Sequence, residues 1–113
     1  MSKEVKQQMN NSTNQLNSRK KRLLAHFQSC ELPYTAEVID HEDVVYRKID
    51  GFDFEISGGS CRRPFTVYVW ELNRVGGTRE IVDTYDVQST DIPAAAAEIE
   101  RIVAKYEEAP HGV

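Results

Sequence analysis

The sequence predicts an α+β domain: an N-terminal helix, an antiparallel meander sheet of four to five strands, and a C-terminal helix packed on that sheet. Three observations carry this. Residues 65–72 and 79–87 are rich in β-branched and aromatic side chains and flank Gly76-Gly77, the composition of a β-hairpin. Asp50-Gly51 separates two further strand-like runs, and Asp-Gly suits a two-residue turn because both central positions need positive φ. Ile92, Ala95, Ala96, Ile99, Val103 and Tyr106 then fall on one stripe at helical spacing. The hairpin around Gly76-Gly77 holds the only tryptophan, and the other elements are expected to pack on or beside it.

Taken in order, residues 1–11 are polar and rich in Gln and Asn, and read as a flexible tail. A single domain spans 12–109, with 110–113 as a short tail. Ser12 and Gln15 have the spacing of a capping box, and Leu16, Leu23, Leu24 and Phe27 share a helical face until Pro33. This predicts a first helix over 13–29. A first strand is expected over 34–40, followed by an acidic turn at His41-Glu42-Asp43. The next two strands, 44–49 and 52–57, meet at Asp50-Gly51 with Ile49 opposite Phe52, Arg47 opposite Phe54 and Val45 opposite Ile56. That register sends Tyr46, Lys48, Asp53, Glu55 and Ser57 to a wet face.

Residues 58–64 read as a loop. In the central hairpin the pattern groups Phe65, Val67, Val69 and Val82 on one face, and Tyr68, Trp70, Leu72, Ile81 and Tyr85 on the other. Ser89, Thr90 or Asp91 caps the last helix, with Pro93 in its first turn, where a missing N–H costs nothing. Glu98, Arg101, Lys105 and Glu108 form its polar face, and it ends near Glu108, before Pro110.

Composition excludes several classes. No apolar run approaches the ~20 residues that span a bilayer, and the N-terminus has no apolar leader, so a cytoplasmic protein is expected with no membrane partner. Cys30 and Cys61 fit no metal or redox spacing and are expected as free thiols in a reducing compartment. His26, His41 and His111 are scattered, so neither a metal nor another cofactor is implied. Charge is uneven: residues 1–30 carry net +5 and the remainder −9. A mainly acidic body repels the phosphate backbone and is a poor general binder of nucleic acid.

Candidate chemistry is sparse. Asp40-His41-Glu42-Asp43 gathers titratable groups, but neighbours at a strand end point apart. Asp53 and Glu55 have the spacing of a nuclease acidic pair, yet Ser57 stands where the lysine belongs. Ser60-Cys61 has no histidine at a matching distance in sequence. No enzyme is expected. Arg62 and Arg63 beside Gly58-Gly59 suit an anion, though the spacing is not that of a Walker loop. Arg19, Lys20, Lys21 and Arg22 form a basic cluster that could touch phosphates or an acidic partner.

The helix–strands–helix order with an Ala-rich last helix is similar to the double-stranded RNA-binding domain. That resemblance implies lysines at the start of the last helix gripping phosphate. Here that turn runs from Asp91 to Glu98 and is acidic. The leading expectation is instead a non-catalytic interaction domain that binds another protein, a hetero-partner or a second copy. If both helices cover one sheet face, Tyr68, Trp70, Leu72, Ile81 and Tyr85 form an exposed apolar patch rimmed by Glu71, Arg74, Arg79 and Asp83. In size and texture the chain resembles accessory proteins of phages and other mobile elements, including anti-CRISPR proteins, which implies an inhibitor or regulator of a host complex. The alternative is a nucleic-acid binder using Arg19, Lys20, Lys21 and Arg22 with Arg62 and Arg63.

Overall fold

The computed structural model describes residues 16–73 and 76–108. Its elements are α1 (Ser18–Ser29), β1 (Thr35–Ile39), β2 (Glu42–Ile49), β3 (Phe52–Gly58), β4 (Phe65–Asn73), β5 (Thr78–Asp86) and α2 (Ile92–Glu107). The strands form one antiparallel sheet in chain order, β1-β2-β3-β4-β5, so the predicted α+β meander is the fold. The β2–β3 hairpin adopts the register expected from Asp50-Gly51, with Ile49 opposite Phe52 and Val45 opposite Ile56.

Both helices lie on the same face. Leu23, Leu24 and Phe27 of α1 and Ala95, Ile99 and Val103 of α2 join one buried cluster with Phe54, Ile56, Val67 and Val69. The latter four are inner-face side chains of β3 and β4. Tyr34 lies just before β1 rather than in it; it is buried, and its ring stacks on Phe27 with centroids 3.6 Å apart. Its hydroxyl donates to Glu100 of α2, and burial holds the phenol well above its ordinary pKa.

The first helix starts later than the capping-box reading implied. The positions up to Gln15 lie outside the described residues; Leu16 and Asn17 are not helical, and Asn17 is the N-cap, with extended backbone at φ −67° and ψ 167°. Its Oδ1 accepts from the Lys20 amide at 2.9 Å, while its Nδ2 donates to the Gly58 carbonyl at 3.0 Å. Asparagine is among the strongest N-caps, and here it also ties α1 to the end of β3.

The turn between β1 and β2 is tighter than expected. Asp40 and His41 take positive φ (51° and 68°), and Glu42 already belongs to β2. In the 59–64 loop, Gly59 has φ +80° and passes so close to Phe65 that an added Cβ would stand 2.5 Å from its ring.

Two assignments on β5 are corrected by a bulge. Val69 is opposite Asp83 but Trp70 is opposite Ile81, leaving Val82 as the extra residue. A bulge reverses which side chains face which side beyond it. Tyr85 therefore faces the helices, opposite Val67, with its hydroxyl 2.7 Å from that of Tyr106. Val82 is 42 % exposed rather than in the core.

Asp91 caps α2, its carboxylate accepting from the Ala94 amide at 3.1 Å, and Pro93 sits in the first turn. Asp91→Ala is expected to cost about 1 kcal/mol, read as a lower urea midpoint with unchanged slope.

Candidate interaction surface

The outer face of the sheet is backed by neither helix. Antiparallel register builds it in rows: Tyr46, Glu55, Tyr68 and Thr84 stand opposite one another across β2 to β5, and Lys48, Asp53, Trp70 and Ile81 form the next row. Leu72 and Arg79 follow. Tyr68 and Trp70 are half-buried, and Leu72 and Ile81 are 43 % and 48 % exposed. Four of the five residues expected on this patch are therefore brought together; Tyr85 is on the other side.

Its middle is not the wet surface that alternation implies. Asp53, Glu55 and Ser57 are only 6–7 % exposed, because β3 is the central strand and larger side chains of β2 and β4 flank it. Burial in strands makes each carboxylate depend on its partners. Asp53 forms an ion pair with Arg79 and accepts from the Tyr46 hydroxyl. Its hydrogen bond raises Arg79 above the ordinary arginine value, and burial together with Asp53 pushes Tyr46 up to about 12. The Arg79 guanidinium lies 5.4 Å from the centre of the Trp70 ring. Glu42 pairs with Lys20 at 3.0 Å and accepts from Ser57. Burial pushes Glu42 up, but these bonds outweigh it, and its pKa is lowered.

Glu55 differs. Its Oε1 accepts from the Trp70 indole N–H at 3.0 Å, and among the described residues no cation stands within ion-pair distance. Burial pushes its carboxyl up, Trp70 pulls it down, and the charges of Glu42 and Asp40 push it up further. The net shift is upward. A raised folded pKa means that this group's stabilising contribution is complete below the ordinary value of 4.5 and is lost as pH rises through the folded value. Glu55→Gln is thus expected to raise the melting temperature at pH 7, with the gain vanishing below about pH 4. A pH series of thermal melts on both proteins checks it.

The expected rim is distributed differently. Asp83 lies on the inner face and accepts from the Tyr106 hydroxyl, Glu71 is opposite Glu80 on that same side, and Arg74 lies outside the described residues. Tyr46 and Glu55 belong to the patch although the sequence reading placed neither there. A cleft of about 570 Å³, lined by Thr35, Glu37, Tyr46, Lys48 and Arg79 among others, adjoins the patch on the β1 side.

The basic cluster splits in two. Arg19 donates to the carbonyls of Gly59, Arg63 and Thr90, and its guanidinium lies 4.5 Å above Phe65. Lys20 is 4 % exposed and donates to Glu42 and to the Asp43 carbonyl. Both hold the fold together. Lys21 and Arg22 are exposed, as are Arg62 and Arg63. Cys30 and Cys61 are free, exposed thiols. Among the described residues no three His, Cys, Asp or Glu side chains are placed to hold a metal, and no helix is long and apolar enough to cross a membrane.

Fold and surface define a small α+β domain whose antiparallel sheet is backed by two helices on one side and open on the other. No family model, no curated protein and no solved structure matches the chain.

Proposed function

We propose that the chain is a non-catalytic protein-interaction domain whose contact surface is the outer sheet face, and that by docking there it inhibits or regulates a larger complex. The observation that carries this reading is the exposure of Leu72 and Ile81 beside Trp70 and Tyr68 on a face left open by both helices. Aromatic side chains next to exposed aliphatic ones, with Arg79 alongside, have the composition of binding hot spots. Cytoplasmic action, and a likeness to inhibitors carried by mobile elements, belong to the same proposal.

The experiment is affinity capture from host lysate treated with nuclease, comparing the native chain with the Leu72→Asp, Ile81→Asp double variant. Both sites are exposed, so the variant is expected to melt within a few degrees of the native protein. A partner retained after nuclease and lost by the variant supports the reading. Equal capture by both proteins sinks it.

A second reading has one observation in its favour. The Arg62–Arg63 loop lies against the first turn of α1, where Arg19 reaches the Arg63 carbonyl at 3.0 Å, so the loop arginines are neighbours of the cluster that includes Lys21 and Arg22. Nucleic-acid binding at this corner predicts affinity that falls steeply with salt. Recovery abolished by nuclease would promote it.

A further inference from the structure

Three carboxylates of β2 and β3 lie at the outer face: Asp53 and Glu55 by register, and Glu42 through its bond with Ser57. Glu42 has Lys20 and Asp53 has Arg79. Among the described residues Glu55, 93 % buried by its 7 % exposure, has a single indole N–H as partner. An ionised carboxylate in such a place is costly unless it is paired, and among the described residues no cation pairs with it: Arg79 is committed to Asp53, the Tyr46 hydroxyl and the Trp70 ring. The surroundings suit a cation. Tyr46 and Tyr68 are directly opposite Glu55 on either side, about 10 Å apart at two strand spacings, and Trp70 closes a third side through its bond to the carboxylate. All three rings are half-buried and so keep part of their surface toward solvent. Aromatic faces attract cations through their quadrupoles, most strongly where water is excluded. The two neighbouring pairs are internally neutralised, which leaves Glu55 as the acid of this face without a cation among the described residues, with exposed Lys48 in the adjoining row.

We propose that Glu55, between Tyr46, Tyr68 and Trp70, is the receptor for one arginine or lysine side chain of the partner protein. This rests on the reading of the outer face as the contact surface. The aliphatic patch at Leu72 and Ile81 takes the partner's apolar residues, and the carboxylate selects partners by charge. A second copy of the chain is disfavoured as occupant, because the cation that borders the patch on β5, Arg79, is already paired with Asp53.

The test uses Trp70 fluorescence, since it is the only tryptophan, with indole N–H chemical shift as a second readout. The probes are a seven-residue Gly/Ser peptide with one central arginine, its lysine twin, its neutral citrulline twin, and spermidine. The arginine or lysine peptide is expected to shift Trp70 saturably, the citrulline peptide at least tenfold more weakly. Glu55→Gln, expected to fold at least as stably as the native protein, should lose tenfold or more of the affinity. Equal responses to arginine and citrulline, no response to either basic peptide, or full binding by Glu55→Gln would overturn the proposal. Tighter binding of spermidine than of both basic peptides would overturn the assignment to a protein side chain. The two readings fail separately. If lysate capture is lost with the Leu72/Ile81 variant but is indifferent to Glu55→Gln, the contact surface stands and the cation receptor falls.

Discussion

Phe54→Ala is expected to lower folding stability by about 3–5 kcal/mol, the range for deleting a buried aromatic side chain. Phe54 sits at the middle of the central strand, has no exposed surface, and meets the Tyr106 ring edge-on at 5.6 Å. Its strand neighbours are Arg47 and Val69, and both helices contribute to the cluster around it. A chain of this size has about 5–15 kcal/mol in total, so much of the margin is removed by one substitution. Leu72→Ala, on the outer face and 43 % exposed, is expected to stay within about 0.5 kcal/mol. Urea titrations of the two variants decide which face is core. A loss under about 1 kcal/mol at Phe54 would contradict helices packed on that side.

The contrast between the faces also shows what was legible in the sequence. The β2–β3 register followed from the Asp50-Gly51 turn alone, since a two-residue hairpin leaves no freedom in pairing. The α2 stripe was legible because helical periodicity over sixteen residues is a strong local signal. Tyr85 was misplaced for a physical reason: bulges alter strand parity, and no residue near Val69 or Val82 announces one. Leu16 was misread as helical because Asn17 was not recognised as an N-cap, a position that a distant partner, the Gly58 carbonyl, helps to hold.

The outer face was half legible for a related reason. That Tyr46 is opposite Glu55 could be read from the β2–β3 turn. That Tyr68 flanks Glu55 on its other side depends on the length and positive-φ turns of the 59–64 loop, where Cys61 and Arg62 have φ of 51° and 67°. Alternation in sequence marks a strand's two faces but not how deeply a central strand buries its polar one. Asp53, Glu55 and Ser57 read as a solvated stripe and are instead three of the four buried polar side chains among the described residues. If Glu55 receives a partner's cation, its expected stability cost at neutral pH is the familiar trade in which a binding group is held in an unfavourable state until its ligand arrives.

Arg19→Ala carries the second large expected effect, a loss of about 2–3 kcal/mol. The guanidinium bonds the carbonyls of Arg63 and Thr90 at 3.0 Å each and that of Gly59 at 3.4 Å, and it covers the buried Phe65 ring. Those contacts join α1 to the 59–64 loop and to the segment leading into α2, so truncation leaves acceptors at two sites without their charged donor. By contrast, Lys21→Glu and Arg22→Glu change exposed side chains and are expected to stay within about 0.5 kcal/mol. The difference bears on function. Reversing all four charges of the run from Arg19 to Arg22 would weaken the fold through Arg19 and buried Lys20, and loss of any activity would follow whichever surface carried it. Reversal confined to Lys21, Arg22, Arg62 and Arg63 changes the exposed basic corner without breaking those contacts. If that variant keeps its melting temperature and its nuclease-resistant partner, the basic corner is not the contact surface. If it keeps its fold and loses binding together with a steep salt dependence, the outer-face reading gives way to nucleic acid.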